Sequence, residues 1–278
     1  MNTSIVPVKH PILSNYLQYF IFFDRNIQQP FSYHTFPNTN LCLSIYRNNR
    51  VEYKRNNNIN HCIVDGGENK FVSHLFGFHS QPFKVDIKHT LDQICILFHP
   101  AGLRAFTKIP YDELLREPDV FECVFGPQTF ILDEVFEQND PQSRADIMEA
   151  FLLKRLLLKR GDSRIQLLLD FIDKTKGNIS VRELSATLKL NESTLYRIFN
   201  ENLGQGPKDF VQTVRFRNVI KLLLAQKRIN LTELAYQTMF YDQSHFIRDF
   251  KIRSGSLPSE FIHKVSLEQR QLAWVKNP

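Results

Sequence analysis

The chain has 278 residues, of which 42% are hydrophobic, 23% charged and 12% aromatic. This composition is typical of a globular protein, and the length is sufficient for two domains of ordinary size. No apolar run approaches the about 18 residues that a membrane-spanning helix needs, and residues 1–9 show no secretory signal. We therefore expect a cytoplasmic protein without a membrane partner.

Short apolar stretches between polar turns fill the first half of the chain. The pattern predicts strands at 41–46, 61–64, 72–76, 83–87 and 93–98. Turn residues separate them at 48–49, 56–58 and 65–67. Many short strands at this spacing predict a small antiparallel β-barrel or sandwich, cupin-like in form. Flanking helical pieces are expected near 101–107 and 129–138.

Aromatic and histidine residues are concentrated in this half. Sixteen of the 24 phenylalanines precede residue 152, where they can fill a barrel core or line an apolar pocket. Six histidines raise the alternative of a cupin-type metal site: His34, His61, His74, His79, His89 and His99. No H-x-H followed by a suitably spaced Glu occurs, so we predict no metal and no cofactor.

All four cysteines also lie in the first half, without a CxxC pair: Cys42, Cys62, Cys95 and Cys123. This distribution indicates buried, reduced thiols in a reducing compartment.

A predicted helix at 144–160 is apolar on more than one side, and Gly161-Asp162 breaks it. Such a helix packs against another surface. Interdomain packing and a dimer contact are both consistent with the pattern. The helix divides the chain into an N-terminal domain at 1–142, a linker helix at 143–162 and a C-terminal domain at 163–278.

The C-terminal domain contains an internal repeat. Five residues return after 51 positions: Arg197, Phe199, Gly204, Pro207 and Phe210 recur as Arg248, Phe250, Gly255, Pro258 and Phe261. Upstream, Glu183-Leu184 recurs at 233–234, with an offset of 50. A repeat of this length indicates a duplicated supersecondary unit.

Each copy of the repeat predicts a helix, a tight turn and a second helix. Ser180 and Glu183 have capping-box spacing, and Asn230 begins the same arrangement in the second copy. Asn191 and Asp242 are suitable N-caps for second helices at about 192–202 and 242–253. One face of each second helix is apolar and the other polar. This is the pattern of a helix-turn-helix motif, whose second helix enters the DNA major groove.

A long helix at 207–226 is predicted to join the two motifs. Some nineteen residues span roughly 28 Å, and helices in successive major grooves lie roughly 34 Å apart. The lengths are compatible with two helices that enter one face of a duplex.

Residues 163–265 resemble the DNA-binding domain of AraC/XylS-family transcription regulators. The resemblance rests on both motifs and includes Glu183-Leu184, Leu195-x-Arg197-x-Phe199, Gly204, Arg215, Leu222-Leu223, Glu233-Leu234-Ala235, Phe240, Ser244-x-Phe246-x-Arg248-x-Phe250-Lys251, Gly255 and Pro258-Ser259. The family usually has glycine where this chain has Lys189 and Met239, and Tyr-Arg where it has Phe261-Ile262. The N-terminal region, including His99-Pro-Ala-Gly102, is similar to the sensor-like region of a subgroup of these regulators.

The resemblance implies a sequence-specific transcription regulator whose partners are double-stranded DNA and RNA polymerase. We expect an activator, and repression is the alternative that the sequence leaves open. It also implies that the N-terminal domain binds a small effector or mediates homodimerisation. The alternative from another class is a barrel-fold enzyme with a helical targeting domain. No Gly-rich phosphate loop, metal-ligand spacing or nucleophile elbow supports that alternative, so we predict no enzymatic activity.

Ten residues on the second helices are the candidates for DNA contact: Ser193, Thr194, Tyr196, Arg197, Asn200, Gln243, Ser244, His245, Arg248 and Lys251. Arginine can bond guanine or phosphate, although either arginine could instead form a surface salt bridge. Arg215 and Arg217 in the connecting helix are expected to be structural or to face phosphate.

The distribution of charged residues agrees with the division of the chain into two domains. Residues 163–278 carry 18 Lys and Arg against 11 Asp and Glu, whereas the remaining chain carries 17 against 18. The whole positive excess therefore lies in the segment predicted to meet phosphate.

Overall fold

The computed structural model describes residues 3–23, 30–56, 59–157, 163–225, 230–268 and 272–277. Within these residues the strands are β1 (Thr3–Pro7), β2 (Leu17–Phe23), β3 (Phe31–Thr35), β4 (Leu41–Asn56), β5 (Ile59–Phe76), β6 (Phe83–Ile87), β7 (Gln93–Phe98), β8 (Ser266–Glu268) and β9 (Leu272–Asn277). They form one sheet in the order β1-β2-β7-β4-β5-β6-β3-β9-β8. The sheet curls into a half-barrel, so the predicted α+β fold with an N-terminal barrel-like domain is confirmed.

The pairing differs from the prediction at β4, β5 and β6. The strands predicted at 61–64 and 72–76 are parts of one strand, β5, which pairs antiparallel with β4. The turns predicted at 48–49 and 65–67 are therefore wrong. A register shift occurs beside Asn48, and a Cβ on Gly67 would lie 2.8 Å from the backbone N of Arg50. These residues permit a bulge and a close strand approach instead of a turn.

Two further points concern the pairing of β5 with β6 and the predicted turn between β4 and β5. β5 and β6 pair in parallel, so the sheet is not wholly antiparallel. The predicted turn at 56–58 includes residues 57 and 58, which lie outside the described residues.

Both faces of the sheet are buried, which explains its apolar strands. In β2, Phe20 and Phe22 point into a core shared with helices, whereas Ile21 and Phe23 point into the concave side of the half-barrel. This alternation follows from the two-residue repeat of a strand. The concave side is the one that encloses a cavity.

Helices cover the convex face of the sheet. They are α1 (Tyr111–Leu114), α2 (Val120–Phe125), α3 (Thr129–Glu137) and α4 (Pro141–Lys154), with short 3-10 helices at Leu13–Asn15 and Gly102–Ala105. The first two α-helices were not predicted, because each is too short to show a helical period.

The helix predicted at 144–160 begins earlier and ends earlier. Asp140 caps α4 by accepting a hydrogen bond from Ser143 N at 2.8 Å, and the helix ends at Lys154. Residues 158–162, with the predicted Gly161-Asp162 break, lie outside the described residues. Met148 and Leu152 are buried in the core between sheet and helices. The apolar side of α4 is therefore occupied by the N-terminal half of the chain itself.

The C-terminal half is helical. It contains α5 (Ser163–Lys174), α6 (Val181–Thr187), α7 (Glu192–Leu203), α8 (Pro207–Ala225), α9 (Leu231–Gln237), α10 (Gln243–Ser254) and α11 (Pro258–Lys264). One core lies among α5, α6, α7 and α8, and a second among α8, α9, α10 and α11. The prediction of an all-α domain is wrong at the end of the chain, where β9 pairs antiparallel with β3 of the half-barrel.

Aromatic packing joins the two halves of the chain. Phe36, in the loop after β3, is buried in the core of the second motif and meets Phe261 edge to face, with ring centroids 4.9 Å apart. Phe78 packs partly against the core of the first motif. The N-terminal half therefore contacts both helical motifs.

Candidate nucleic-acid interface

The first motif has the local geometry that its sequence predicts. Ser180 and Glu183 form a complete capping box at the start of α6. Lys189 occupies the turn with a positive φ of 52°. Asn191 then caps α7 by accepting a hydrogen bond from Thr194 N at 2.7 Å. Caps and turn together fix the angle at which α7 leaves α6.

The second motif repeats this geometry with one difference. Asn230 accepts hydrogen bonds from the backbone amides of Thr232 and Glu233. Of the two described motifs, only the first has the second bond of a capping box, in which the Glu side chain accepts from the backbone amide of the N-cap residue. Met239 takes the left-handed turn conformation, with φ 58°. Asp242 caps α10 through His245 N at 2.7 Å. The left-handed residue thus has the equivalent position in both turns although neither turn contains glycine. The second turn is one residue longer, since four residues separate α6 from α7 and five separate α9 from α10.

The turns are also held by equivalent backbone hydrogen bonds. Leu190 N donates to Ser185 O at 3.0 Å in the first motif, and Phe240 N donates to Ala235 O at 2.9 Å in the second. The offset of 50 residues therefore holds as far as these hydrogen bonds. It becomes 51 at the caps Asn191 and Asp242, because the second turn has one residue more.

The polar faces of α7 and α10 are open to solvent. Nine of the ten candidate residues are exposed, and Thr194 is half-buried. The opposite faces bury Leu195, Ile198 and Phe199 in α7, and Phe246 and Phe250 in α10. The two faces are separated as an amphipathic helix requires.

The two repeated arginines differ in their partners. Arg197 Nη1 lies 3.3 Å from Glu201 Oε1, one turn further along α7, and both side chains are more than half exposed. Such a surface pair contributes little stability and can be exchanged for another partner. Arg248 forms no ion pair with any described residue. The surface salt bridge that the sequence allowed is therefore present at Arg197.

Two candidates at the start of α10 are positioned by the first helix of their motif and by the turn. Gln243 Oε1 accepts a hydrogen bond from Thr232 Oγ1 at 2.7 Å. The His245 ring meets Phe240 edge to face, with centroids 5.4 Å apart. Both side chains are thus preoriented on an exposed surface.

Exposed aromatic residues flank α10, and sequence reasoning missed them. Tyr241 is 84% exposed immediately before the cap, and Tyr236 is 65% exposed at the end of α9. The sequence contained a signal for both, because Tyr236 lies outside the apolar stripe of α9 and Tyr241 lies in the polar turn before the cap of α10. Tyrosine at this position can contact a phosphate or a base edge.

The two arginines of the connecting helix face inwards. Arg215 Nε donates to Gly177 O at 3.0 Å, and its guanidinium lies over the Phe240 ring. Arg215 is therefore structural and ties the two motifs together. Arg217 is buried against the N-terminal half-barrel, so of the two expected alternatives it is in a structural position and does not face phosphate. The α8 period places it on the side of the helix that the barrel covers.

A cavity of about 110 Å³ opens on the concave side of the half-barrel. Three of the four cysteines line it, with Ser44 Oγ at 3.4 Å from Cys42 Sγ and 3.3 Å from Cys95 Sγ. The Cys95 thiol, by hydrogen bonding, lowers the pKa of Cys42, whereas burial raises the pKa of Cys62 to about 12. All four cysteines are free. Cys62 and Cys95 are buried as predicted, whereas Cys42 and Cys123 are half-buried, so the prediction of buried thiols is wrong for these two.

The six histidines do not gather into a metal site. His61 Nε2 pairs with Asp86 Oδ2 at 2.6 Å, and burial lowers the pKa of His34, His74 and His99. Among the described residues, no three His, Cys, Asp or Glu side chains are arranged to hold a metal ion.

None of the helices that the structure describes combines the length and the apolar character that a membrane-spanning helix needs.

The fold and the exposed faces thus define a protein with a half-barrel domain and a double helix-turn-helix domain. Residues 184–264 match the family model described as a helix-turn-helix domain, and residues 7–117 match a domain of unknown function, DUF6597. The C-terminal domain is an AraC-type helix-turn-helix domain, and its homologues are AraC/XylS-family transcription regulators.

Similar curated proteins include the XylDLEGF operon transcriptional activator 1 of Pseudomonas putida, which is 24% identical over 44% of this chain and 37% of its own length. The lactose operon transcription activator of Staphylococcus xylosus is 26% identical over 38% of each chain. The chain thus spans less than two fifths of the length of either relative.

Among solved structures, ToxT from Vibrio cholerae is 12% identical with a TM-score of 0.37, over 94% of this chain and 97% of its own. The C-terminal domain of AraT, a response regulator from Geobacillus stearothermophilus, is 18% identical with a TM-score of 0.36, over 40% of this chain and 93% of its own.

Proposed function

We propose that this protein is a sequence-specific DNA-binding transcription regulator that inserts α7 and α10 into successive major grooves of one duplex. The observation that carries the proposal is the pair of equivalent second helices, each with its polar face in solvent. Major-groove readout needs hydrogen-bonding side chains on a helix of this kind. The ten candidate residues supply hydroxyl, amide, imidazole and cationic groups.

The connection between the motifs supports simultaneous binding. α8 has 19 residues, which is roughly 28 Å of helix. The grooves on one face of B-DNA are roughly 34 Å apart. Arg215 and the hydrogen bond from Asn178 Nδ2 to Gln237 O hold the motifs against one another. A fixed spacing between α7 and α10 would make the protein select DNA sites by the distance between their two half-sites as well as by their sequence.

The domain division at 1–142, 143–162 and 163–278 belongs to the same proposal. The N-terminal half-barrel, with its cavity, binds a small effector or forms a homodimer, and the regulator contacts RNA polymerase in the cytoplasm. The names of the curated relatives, both activators of operons, favour activation. The barrel-fold enzyme gains no support from these relatives.

Selection of bound genomic fragments by the 278-residue chain tests the proposal. Fragments are incubated with the protein at moderate salt, recovered and sequenced. We expect enrichment of sites with two conserved blocks whose centres are about 10 base pairs apart. Recovery of fragments without a shared sequence would contradict sequence-specific binding. The double variant Arg197→Ala/Arg248→Ala is the control, because it should lose the enrichment while it keeps the fold.

A further inference from the structure

The side chain of Gln243 is held by a residue of the preceding helix. Gln243 is the first residue of α10, and Thr232 is the second residue of α9. Thr232 Oγ1 donates a hydrogen bond to Gln243 Oε1 at 2.7 Å, and both residues are exposed. The bond therefore fixes a long polar side chain that solvent alone would leave free to rotate.

The direction of this bond decides which group of the Gln243 carboxamide remains available. A glutamine side chain has a carbonyl oxygen that accepts hydrogen bonds and an NH2 group that donates two. The N-terminal ends of α9 and α10 both carry a partial positive charge, which favours the carbonyl oxygen on that side. Among the described residues, none accepts a hydrogen bond from Gln243 Nε2. The exposed donor is thus the group that Gln243 can offer to DNA.

The first motif has no counterpart of this bond. Its residues at the corresponding positions are Arg182 and Glu192, which are exposed and form no ion pair with each other in the described structure. The two motifs share their caps and their left-handed turn residues. As the structure describes them, only the second motif fixes the first side chain of its second helix through the helix before it.

We propose that Thr232 sets the base preference of Gln243, so that α10 selects guanine at the base pair that Gln243 meets. A glutamine with both groups free pairs with adenine, because its oxygen accepts from N6 and its NH2 group donates to N7. Guanine presents two acceptors, N7 and O6, which match an NH2 group alone. Thr232 is then a positioning residue for a base contact. The inference rests on the proposed function, because it names one contact of the proposed interface.

The test measures binding of the 278-residue chain to its selected site, with all four base pairs placed in turn at each position of one half-site. Gln243→Ala identifies the base pair in question as the one position at which this variant loses its preference. Competition followed by fluorescence anisotropy at constant salt gives the Kd for each base. We expect the wild-type chain to bind guanine there about tenfold more tightly than adenine.

Variants assign this preference to the Thr232 hydroxyl. Thr232→Val removes the hydroxyl at similar shape and should lower the ratio of guanine to adenine binding about tenfold. Thr232→Ser retains the hydroxyl and should retain the preference. Thr187→Val is the matched control, because Thr187 is also exposed and its hydroxyl bonds only to Glu183 O of its own helix, at 2.8 Å. All three variants should keep the wild-type Tm, since they change exposed side chains.

Four outcomes would overturn the proposal. The wild-type chain prefers adenine at this base pair, Thr232→Val keeps the wild-type ratio, Thr232→Ser behaves as Thr232→Val does, or Thr232→Val weakens all four bases alike. Equal weakening of every sequence by Gln243→Ala would also reject it, because the glutamine would then meet phosphate. The proposed regulator survives each of these results as long as the wild-type chain enriches a shared sequence. Absence of any shared sequence would instead reject the regulator itself.

Discussion

Gly204 lies against Tyr111, and this contact joins the C-terminal end of α7 to the N-terminal domain. A Cβ placed on Gly204 would lie 2.5 Å from the Cβ of Tyr111. The equivalent glycine of the second motif, Gly255, lies near Pro82, with 3.3 Å between such a Cβ and Pro82 Cγ. Both α7 and α10 therefore end on the domain that we propose to bind the effector.

The first prediction concerns this contact. Gly204→Ala combines a left-handed backbone, φ 68° and ψ 18°, with a clash against Tyr111. Gly255→Ala is the control, because it has the same left-handed backbone, φ 74° and ψ 0°, and only a 3.3 Å approach to Pro82 Cγ. The backbone cost of about 1–2 kcal/mol is common to both. The clash should lower the free energy of unfolding of Gly204→Ala by about 1–3 kcal/mol more. Urea unfolding measures the difference, and equal losses would mean that the contact is unimportant.

The turns of the two motifs give a second prediction. Lys189 and Met239 both have positive φ, which costs a residue with a side chain roughly 1–2 kcal/mol. Replacement of either by glycine removes this strain but adds chain entropy to the unfolded state. We expect Lys189→Gly and Met239→Gly each to raise the free energy of unfolding by about 0.5–1 kcal/mol. Thermal unfolding tests this, with Lys174→Gly in α5 as a destabilised control.

A third prediction separates base contact from phosphate contact. Arg248→Ala should cost about 1–3 kcal/mol at the selected site and relax the sequence preference if the side chain reads a base. If it meets phosphate, all sequences weaken alike and the salt slope falls by about 1. Fluorescence anisotropy over a range of salt concentrations distinguishes the two.

Arg197 allows an internal check of that experiment. Its pair with Glu201 must open or rearrange when DNA binds, so Glu201→Gln should leave DNA affinity unchanged or increase it. Lys174→Ala, an exposed charge outside both motifs, is the matched control. Unchanged affinity in both Arg197→Ala and Arg248→Ala would reject their assignment to the interface.

The cysteine thiols give a fourth prediction. Burial raises the pKa of Cys62 to about 12, and burial with nearby acidic groups raises the pKa of Cys123. Cys62 is buried in the cavity wall, whereas Cys123 is half-buried. Because the thiolate is the nucleophile and the reagent must reach it, iodoacetamide should modify Cys123 before Cys62. Peptide mass spectrometry follows each site, and faster modification of Cys62 would contradict the prediction.

The helical motifs were predictable in detail because their determinants are local. Caps such as Asn191 and Asp242 act over three residues, and the apolar stripes of α7 and α10 repeat with the helical period. The solvent exposure of Arg248 follows from the same stripe. Even the left-handed turns occur where the resemblance placed them, although the residues there are not glycine.

The half-barrel was less predictable because its determinants are distant in sequence. Gly66 and Gly67 are typical turn residues, but Gly66 pairs with Asn49 of β4, which lies 17 residues earlier in the sequence. The position of Arg217 depends on the docking of α8 against barrel residues Ile21 to Leu97, which lie between 196 and 120 residues earlier in the sequence. No local pattern reports such a contact.

Hydroxyl-radical footprinting of the full chain on its selected site tests the central claim most directly. If α7 and α10 bind the duplex at the same time, they should protect two backbone segments on one face of it, about one helical turn apart. Both protected segments should appear at the same protein concentration. Protection of a single segment, unchanged by substitutions in the polar face of one of the two helices, would contradict the account.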